Sequence, residues 1–438
     1  MTCFANPARQ LWIRIRGGSA SSPLARNTVS MLVGQVSRLV VQAFYFVLMA
    51  RNLGPHQYGA FVAVAAVAAI VGPFVGCGSG LLMVKNVARD SSVFAEYWGN
   101  TLLMTLSTGV LFSFLAIVGG AFALPGSIPP AIIVLVTISD VLLWRFVEAG
   151  MWAFQARERM EWTAGLNVFS SATRMAGIAA IILLHRPTLM AWAVAYAIST
   201  ILCSTVAVGS VLWKLGAPKL GLEKIPGELR EGFYFSIGLS SQTIYNDIDK
   251  TMLARLGTLD ANGVYAAAYR LIDVAFVPVR SLLAAAYPAF FRNGQDGLSG
   301  SLAFAKRLLP RAAAYSAAMA IALFVAAPMV PWALGYQYDR TTEALRWLAL
   351  LPLIKTLHYF AADPLSGAGH QGLRTFAQVS VALFNVGLNL WLIPLYSWRG
   401  AAWSSVASDG LLALMLWGCA AILLRRRQTV IEAREIVA

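Results

Sequence analysis

Twelve apolar runs, separated by short connections, constrain this chain more than any other feature. A helix that spans a bilayer needs about 20 mainly apolar residues, and each run approaches or exceeds that length. The runs occupy residues 29–49, 60–84, 100–123, 131–153, 165–184, 189–212, 233–256, 262–289, 310–331, 344–365, 376–395 and 401–424. The sequence therefore predicts an all-α polytopic membrane protein with twelve transmembrane helices.

The composition supports this class and excludes others. Of the 438 residues, 58% are hydrophobic and 12% are charged, whereas a soluble domain carries about 25% charged residues. The formal net charge of +14 comes from basic residues spread over many short loops, so we expect no nucleic-acid partner. Four cysteines indicate no disulfide framework, and the N-terminal region lacks the compact apolar segment of a cleavable signal peptide.

The distribution of Lys and Arg predicts the orientation. With the N-terminus placed in the cytoplasm, the inside segments hold 20 basic residues and the outside loops hold 4. Cytoplasmic loops of membrane proteins carry an excess of Lys and Arg. We therefore expect both termini on the cytoplasmic side.

The chain also shows a weak internal repeat. "ARNLGPHQYGAFVAVAA" from Ala50 resembles "ARLGTLDANGVYAAAYR" from Ala254, at an offset of about 204 residues. "MAWAVAYAIS" from Met190 resembles "AAWSSVASDG" from Ala401. Parallel repeats of this kind occur in transporters, with the substrate site between the halves. We predict a cytoplasmic N-terminal segment, an N-lobe, a linker, a C-lobe and a cytoplasmic tail at 1–28, 29–212, 213–232, 233–424 and 425–438.

Fourteen Asp, Glu, Lys and Arg residues lie mid-span in the predicted helices, and such residues are functional-site hypotheses by default. Seven are cations and seven are anions: Arg38, Arg145, Arg174, Lys250, Arg270, Arg280 and Lys355, with Asp140, Glu148, Asp247, Asp249, Asp273, Asp363 and Asp409. Some stand three apart on one helical face, so structural ion pairs between or within helices remain an alternative reading.

Spans one and seven, the equivalent helices of the two halves, each have a polar face. In span one, Gln35, Arg38 and Gln42 recur at intervals of three and four residues, which places them on one side of a helix. In span seven, "SSQTIYNDID" brings together hydroxyl, amide and carboxylate groups. We expect both faces to line a cavity shared by the halves, where arginines are suited to hold a phosphate in a bidentate manner.

Three stretches follow one another in the expected spans: "ARNLGPHQYGAF", then "IYNDIDKTMLARLGTLDANGVYAAAYRLID" with "YPAF" after it, then "NVGLNLWLIPLYSWRGAAWSSVASD". Together they resemble the polysaccharide biosynthesis flippases, the oligosaccharide-lipid translocases of the multidrug/oligosaccharidyl-lipid/polysaccharide exporter superfamily. The resemblance covers residues from about 27 to 424. The polar segment 425–438 is unlike the two extra C-terminal helices that some relatives have.

The resemblance implies two six-helix lobes that open alternately to each side of the bacterial inner membrane. It implies an undecaprenyl-pyrophosphate-linked oligosaccharide repeat unit as substrate, for O-antigen or exopolysaccharide synthesis. It leaves H⁺ or Na⁺ open as the coupling ion and implies no other cofactor. Membrane lipid is an expected partner, and polysaccharide polymerase and chain-length machinery are candidate partners.

The candidate site residues combine this resemblance with depth in the membrane. For substrate binding we select four arginines and three polar residues: Arg38, Arg145, Arg174, Arg270, Gln35, Gln242 and Asn246. For ion coupling we select Asp249, where such flippases often carry an aspartate, and its charged neighbours: Asp247, Lys250 and Asp273. We expect no catalytic residue and no metal site, since the four histidines are scattered without ligand spacing.

Two other functions remain open. A cation-coupled multidrug exporter of the same fold would favour an acidic pocket with few arginines, which the mid-span arginines oppose. A membrane enzyme such as a polysaccharide polymerase or ligase would need a large outside loop, and every predicted outside loop is short.

Overall fold

The computed structural model describes residues 23–185, 187–221, 246–295 and 297–437, together with the single positions 223 and 243. Within these ranges, side chains are described from residue 41 to residue 425, except for residue 288. Within these ranges all regular secondary structure is helical, which confirms the predicted all-α class.

The first half contains seven α-helices: α1 (Pro23–Val71), α2 (Ser79–Val87), α3 (Phe94–Ala123), α4 (Pro130–Thr137), α5 (Trp144–Ala156), α6 (Met160–Leu183) and α7 (Leu189–Leu215). A 3₁₀ segment, Gly72–Gly78, joins α1 to α2, and a π-helical segment, Ile138–Leu143, joins α4 to α5. The second half begins, in the described part of the chain, with helical residues 246–256. It continues with α8 (Leu259–Gly294), α9 (Leu298–Ala326), α10 (Val330–Leu334), α11 (Thr341–Leu348), α12 (Leu351–Gly367), α13 (Gln371–Tyr396) and α14 (Trp398–Val437).

Eight helices in the described residues are long and apolar enough to cross a membrane. They cover nine of the twelve predicted spans, because Val41–Val87 contains spans one and two. The other three are spans seven, eight and ten. Span seven lies largely outside the described residues. Span eight corresponds to α8, which carries several charges. Span ten is divided into α11 and α12, with Pro352 in the first turn of α12.

Spans one and two are joined without a loop. α1 (Pro23–Val71) consists of two helices that meet at a kink at Gly54, which has the non-helical angles φ 71° and ψ 170°. Glycine adopts this positive φ without the steric cost that a side chain would bring. Pro55 follows and starts the second part of the helix, where its missing N–H removes no hydrogen bond.

The second span is interrupted in its interior. Val75, Gly76 and Cys77 have non-helical backbone angles within the 3₁₀ segment. The backbone N–H of Gly76 donates instead to Thr108 Oγ1 on α3, at 2.8 Å. Irregular backbone at membrane depth is tolerated where protein groups satisfy it in this way.

The two halves meet through a reciprocal backbone contact between α1 and α8. A Cβ added to Gly59 would lie 1.9 Å from the carbonyl oxygen of Leu259, and one added to Gly263 would lie 2.0 Å from that of Pro55. Gly59 and Gly263 are 204 residues apart, as are Pro55 and Leu259, which is the offset predicted from the repeat. Reciprocal contacts between equivalent positions are the signature of a two-fold axis. The structure therefore shows two lobes related by pseudo-symmetry.

Polar groups reinforce this junction. Asn262 Nδ2 donates to the Gly59 carbonyl oxygen at 2.8 Å. His56 Nδ1 lies 2.8 Å from Asp260 Oδ2, and these two residues are again 204 positions apart. Both side chains are more than half exposed, so this pair marks the rim of the contact.

Apolar side chains fill each lobe and also cover its exterior. One cluster in the first half includes Trp98 and Phe154, and one in the second includes Phe290 and Phe360, all fully buried. Many other large apolar side chains point outwards, including Phe122, Leu184, Trp213, Val325, Trp332, Leu383 and Leu414. An exterior of this kind suits contact with lipid acyl chains.

Candidate functional site

A cavity of about 420 Å³ lies between the lobes, on one side of the glycine junction. The first half contributes residues from α1, the π-helical segment, α5, α6 and α7. The second half contributes residues 247 and 250 and one face of α8. The polar and aromatic lining consists of Gln42, Tyr45, Phe46, Tyr58, Phe61, Asp140, Trp144, Asn167, Ser170, Ser171, Arg174, Tyr196, Asp247, Lys250, Tyr269, Arg270 and Asp273. We call this space the central cavity.

Arg174 dominates the N-lobe wall. Its guanidinium donates to the Tyr196 hydroxyl at 3.1 Å, and that hydroxyl donates to Asp140 Oδ1 at 2.5 Å. The guanidinium also lies 4.8 Å from the ring centre of Trp144 and 4.7 Å from that of Tyr196. Aromatic faces attract cations, so the two rings hold the charge in place without neutralising it.

Asp140 reaches the cavity because of a local irregularity. It lies in the π-helical segment, which changes the angular position of side chains relative to a continuous α-helix. Single turns of π-helix occur frequently at functional sites. The carboxylate thereby reaches Tyr196, and Arg174 is linked to Asp140 through this hydroxyl rather than by a direct ion pair among the described residues.

Arg270 faces the cavity from the C-lobe on α8. Among the described residues it forms no hydrogen bond or ion pair. Lys250, by contrast, donates to Asp247 Oδ1 at 2.5 Å and lies 4.5 Å from the ring centre of Tyr269. The C-lobe wall therefore presents one cation whose charge is not matched locally and one that is paired.

A second, smaller pocket of about 170 Å³ adjoins the central cavity within the C-lobe. The two spaces share Asp247, Lys250, Tyr269 and Asp273. The remaining lining residues are Asn246, Phe276, Arg280, Lys355 and Tyr359. We call this space the side pocket.

Asp249 lies behind the cavity wall rather than on it. Its side chain is 2% exposed and accepts hydrogen bonds from Tyr265, at one carboxylate oxygen, and from the backbone N–H of Lys250, at the other. Ser405 of α14 adds a further contact at 3.2 Å. The carboxylate thus ties the 246–256 helix to α8 and α14.

A further buried group lies deeper in the C-lobe. His358 Nε2 is 3.1 Å from Asp409 Oδ1, and both side chains are almost completely buried. Asn385 connects α13 to α14 by donating to Ser404 and Ser408. Within the described residues, no cluster of three His, Cys, Asp or Glu side chains is arranged to hold a metal ion.

The eleven predicted site residues do not all share one location. Five line the central cavity: Arg174, Arg270, Asp247, Lys250 and Asp273. Asn246 lines the side pocket, and Asp249 lies behind the wall. Three fall outside the described side chains: Gln35, Arg38 and Gln242.

Arg145 occupies a different place from the other arginines. Its Nη1 donates to Glu148 at 2.6 Å, and a Cβ on Gly72 would lie 2.1 Å from its Nη2. The guanidinium therefore fills the space beside the interrupted second span. It is not among the residues that line the central cavity, although its neighbour Trp144 is.

Several cavity residues were not among the selected candidates. Tyr45 and Tyr196 are isolated aromatic residues with a hydroxyl group in otherwise apolar helices, so they gave no sign of a site. Trp144 was missed because Trp residues are expected at the membrane interface rather than in a cavity. Asn167, Ser170 and Ser171 recur at intervals of three and four residues, which was an available sign of a polar face on α6.

The two-lobed helical bundle with a polar cavity at the lobe junction is a fold shared with solved membrane transporters. The chain matches an inward-facing multidrug resistance MATE family transporter of the MOP superfamily with TM-score 0.74 and 15% identity, over 91% of this chain and 99% of that one. An outward-facing transporter of the same kind matches with TM-score 0.63 and 16% identity, over 95% of this chain and 98% of that one. At these identities the likeness shows the fold alone, which is similar to that of the MATE transporters.

A third match concerns the pocket itself. A MOP superfamily transporter from Pyrococcus furiosus, described as having a binding pocket of reverse polarity that suggests a different function, gives TM-score 0.65 at 14% identity. The match covers 92% of this chain and 95% of that one.

Sequence comparison identifies the family. The model of the polysaccharide biosynthesis protein family matches residues 24–293, so this chain belongs to that family. It is also 22% identical over 412 residues to a protein of Escherichia coli K12 named "Putative O-antigen transporter", covering 90% of this chain and 95% of the other. The protein is therefore a member of the polysaccharide biosynthesis protein family with several helices long and apolar enough to cross a membrane.

Proposed function

We propose that this protein is a flippase that moves undecaprenyl-pyrophosphate-linked oligosaccharide repeat units across the bacterial inner membrane for O-antigen or exopolysaccharide synthesis. The observation that carries the proposal is the pair of cations, Arg174 and Arg270, that face one cavity from opposite lobes. Neither forms a direct ion pair with a described carboxylate. The family and the name of the Escherichia coli relative support the substrate class.

The two arginines suit a pyrophosphate. A guanidinium presents a planar set of donors that matches phosphate oxygens in a bidentate manner, and these charge-assisted hydrogen bonds are roughly twice as strong as neutral ones. Arg174 is held by Trp144 and Tyr196, so little side-chain freedom is lost on binding. A pyrophosphate between Arg174 and Arg270 bridges the lobes electrostatically.

The remaining lining suits an oligosaccharide. Asn167, Ser170 and Ser171 on α6 provide donors and acceptors for sugar hydroxyls, and Tyr45 and Tyr269 provide aromatic faces. Gln35, Arg38, Gln242 and Asn246 stay proposed contacts to the head group. The polyprenyl tail remains in the bilayer, where its apolar surface needs no protein cavity.

Alternating access follows from the position of the cavity. The contact of Gly59 with Leu259 and of Gly263 with Pro55 closes one end of the space between the lobes. With the N-terminus in the cytoplasm, this closed end faces outwards, and the higher TM-score of the inward-facing transporter is compatible with that orientation. Transport then requires this contact to open while the other end closes.

An ion gradient supplies direction in this proposal. A ligand shifts a two-state equilibrium only by binding one state better than the other. Asp247, Lys250 and Asp273 line the cavity, and Asp249 ties three C-lobe helices together, so occupancy by H⁺ or Na⁺ at these acids would alter how the C-lobe packs.

A cation-coupled multidrug exporter is the second candidate, and one observation favours it. Three carboxylates, Asp140, Asp247 and Asp273, line the central cavity. However, Asp140 accepts from Tyr196 and Asp247 is paired with Lys250. An organic cation would also have to approach Arg174 and Arg270, and this repulsion favours the flippase.

The test uses bacteria that lack this protein. We expect a polyprenyl-pyrophosphate oligosaccharide to accumulate on the cytoplasmic face and to be cleared when the wild-type protein is restored. Arg174→Ala and Arg270→Ala should fail to clear it, whereas Arg340→Ala, at an exposed loop position, should succeed. Normal surface glycan without accumulation would contradict the proposal, and drug efflux would then test the exporter.

A further inference from the structure

The side pocket contains a cation, Lys355, that does not line the central cavity. Lys355 of α12 is 4% exposed, and its Nζ donates to the Tyr269 hydroxyl at 2.7 Å and to Asn246 Oδ1 at 3.3 Å. It also lies 4.7 Å from the ring centre of Tyr269. These partners are all neutral, so among the described residues the ammonium has no carboxylate within ion-pair distance.

The other charges of the side pocket already have partners. Lys250 is paired with Asp247, and Arg280 Nη2 lies 3.8 Å from Asp273 Oδ1. The lining thus holds three cations and two acids, with Lys355 as the excess charge. A buried charge without a partner is costly, and an incoming anion removes that cost.

The size and walls of the side pocket restrict the anion. Its volume of about 170 Å³ is below the roughly 300–1,000 Å³ of pockets that hold drug-sized ligands. Tyr269, Phe276 and Tyr359 provide aromatic walls, and the Phe276 and Tyr359 rings stack with centres 5.7 Å apart. The surface that the pocket exposes is mostly polar, and one excess cation beside aromatic rings suits a single sugar ring that bears a carboxylate.

We propose that the side pocket binds a carboxylate-bearing sugar of the transported oligosaccharide, with Lys355 as the specificity-determining cation. This inference rests on the proposed function, because it assumes that the pyrophosphate lies in the central cavity near Arg174 and Arg270. The shared residues Asp247, Lys250, Tyr269 and Asp273 make the two spaces neighbours, so one head group can reach both.

The test measures binding of two synthetic probes to the purified full-length protein in lipid nanodiscs. Both are short-chain polyprenyl-pyrophosphate disaccharides, and they differ only in a terminal glucuronate or glucose. We expect the glucuronate probe to bind at least tenfold more tightly. Lys355→Met should abolish this preference and leave the affinity for the glucose probe within twofold of wild type. Lys355→Arg, which keeps the charge, should retain most of the preference.

Arg270→Ala separates the two proposals. This variant should lower the affinity for both probes equally, because both carry the pyrophosphate. If Arg270→Ala lowers the affinity for both probes equally but wild type shows no preference between the probes, the side-pocket inference fails. The proposed flippase function is then still supported. If Lys355→Met weakens both probes equally, the pyrophosphate itself uses the side pocket or the lysine is structural, and the inference is again overturned. If neither probe binds wild type, the proposed function fails first.

Discussion

At the residue scale, a few neutral side chains hold the charged groups of the central cavity in position. Tyr196 is the clearest case, because its hydroxyl accepts from Arg174 and donates to Asp140. The guanidinium is thereby oriented towards the cavity and still carries an unneutralised charge. Direct pairing of Arg174 with a carboxylate would have cancelled the field that an anionic substrate needs.

Tyr196→Phe should lower substrate affinity or transport rate by about tenfold, equivalent to about 1.4 kcal/mol. The change removes one hydroxyl and leaves two half-buried charged groups without their shared partner, which costs more than losing a neutral hydrogen bond. The matched control is Tyr45→Phe, where the lost hydroxyl only accepts from Trp192 Nε1 at 3.2 Å. Equal effects of the two variants, measured as substrate binding by folded protein, would contradict this role.

A second prediction separates structural from functional charge at Lys250 and Asp247. Either single neutralisation, Lys250→Met or Asp247→Asn, should lower thermal stability, because it leaves the other charge buried and unpaired. The double variant should regain much of that stability, as a double-mutant cycle would show. If the pair is only structural, the double variant will transport at the wild-type rate. We expect transport to stay impaired because both side chains line the cavity.

At the element scale, the interruptions of helices matter more than the helices themselves. The bend at Gly54 joins two spans into α1, and the π-helical segment turns Asp140 towards α7. The Gly59 and Gly263 contact lets α1 and α8 approach at backbone distance. Each interruption changes which side chains meet at the lobe junction.

Gly59→Ala should force the closed end of the cavity open. The added methyl group would lie 1.9 Å from a backbone oxygen, so α1 and α8 have to separate. We expect a longer distance between spin labels placed at Ser127 of the N-lobe and Arg340 of the C-lobe, both exposed loop positions, measured by pulsed electron paramagnetic resonance. Gly119→Ala is the control, because nothing lies within 4 Å of its added Cβ. An unchanged distance in Gly59→Ala would show that this contact does not govern the closed end.

At the scale of the whole molecule, the sequence was informative about architecture and less so about the site. Long apolar runs and the 204-residue offset predicted the helices and the repeat, because hydrophobicity and local spacing are sufficient for both. Charge at membrane depth identified Arg174, Arg270, Asp247, Lys250 and Asp273 as cavity candidates. The domain boundaries stay predictions.

The same reasoning could not determine which side chains face each other across the lobes. Arg145 and Arg174 look equivalent by depth, yet one packs beside Gly72 and the other lines the cavity. Tyr196 and Trp144 carry no charge and gave no comparable signal. The side pocket brings Lys355 next to Asn246 from 109 residues away, a contact that depends on tertiary packing and not on local pattern.

The most direct test of the flippase proposal is translocation by the purified protein in proteoliposomes, with a lipid-linked oligosaccharide in both leaflets and a glycosidase that cannot cross the membrane. We predict that wild type makes the inner pool accessible, with a faster rate under an imposed H⁺ or Na⁺ gradient, and that Arg174→Ala and Arg270→Ala slow this at least tenfold. Arg340→Ala should match wild type. Accessibility no greater than in protein-free liposomes would contradict the account.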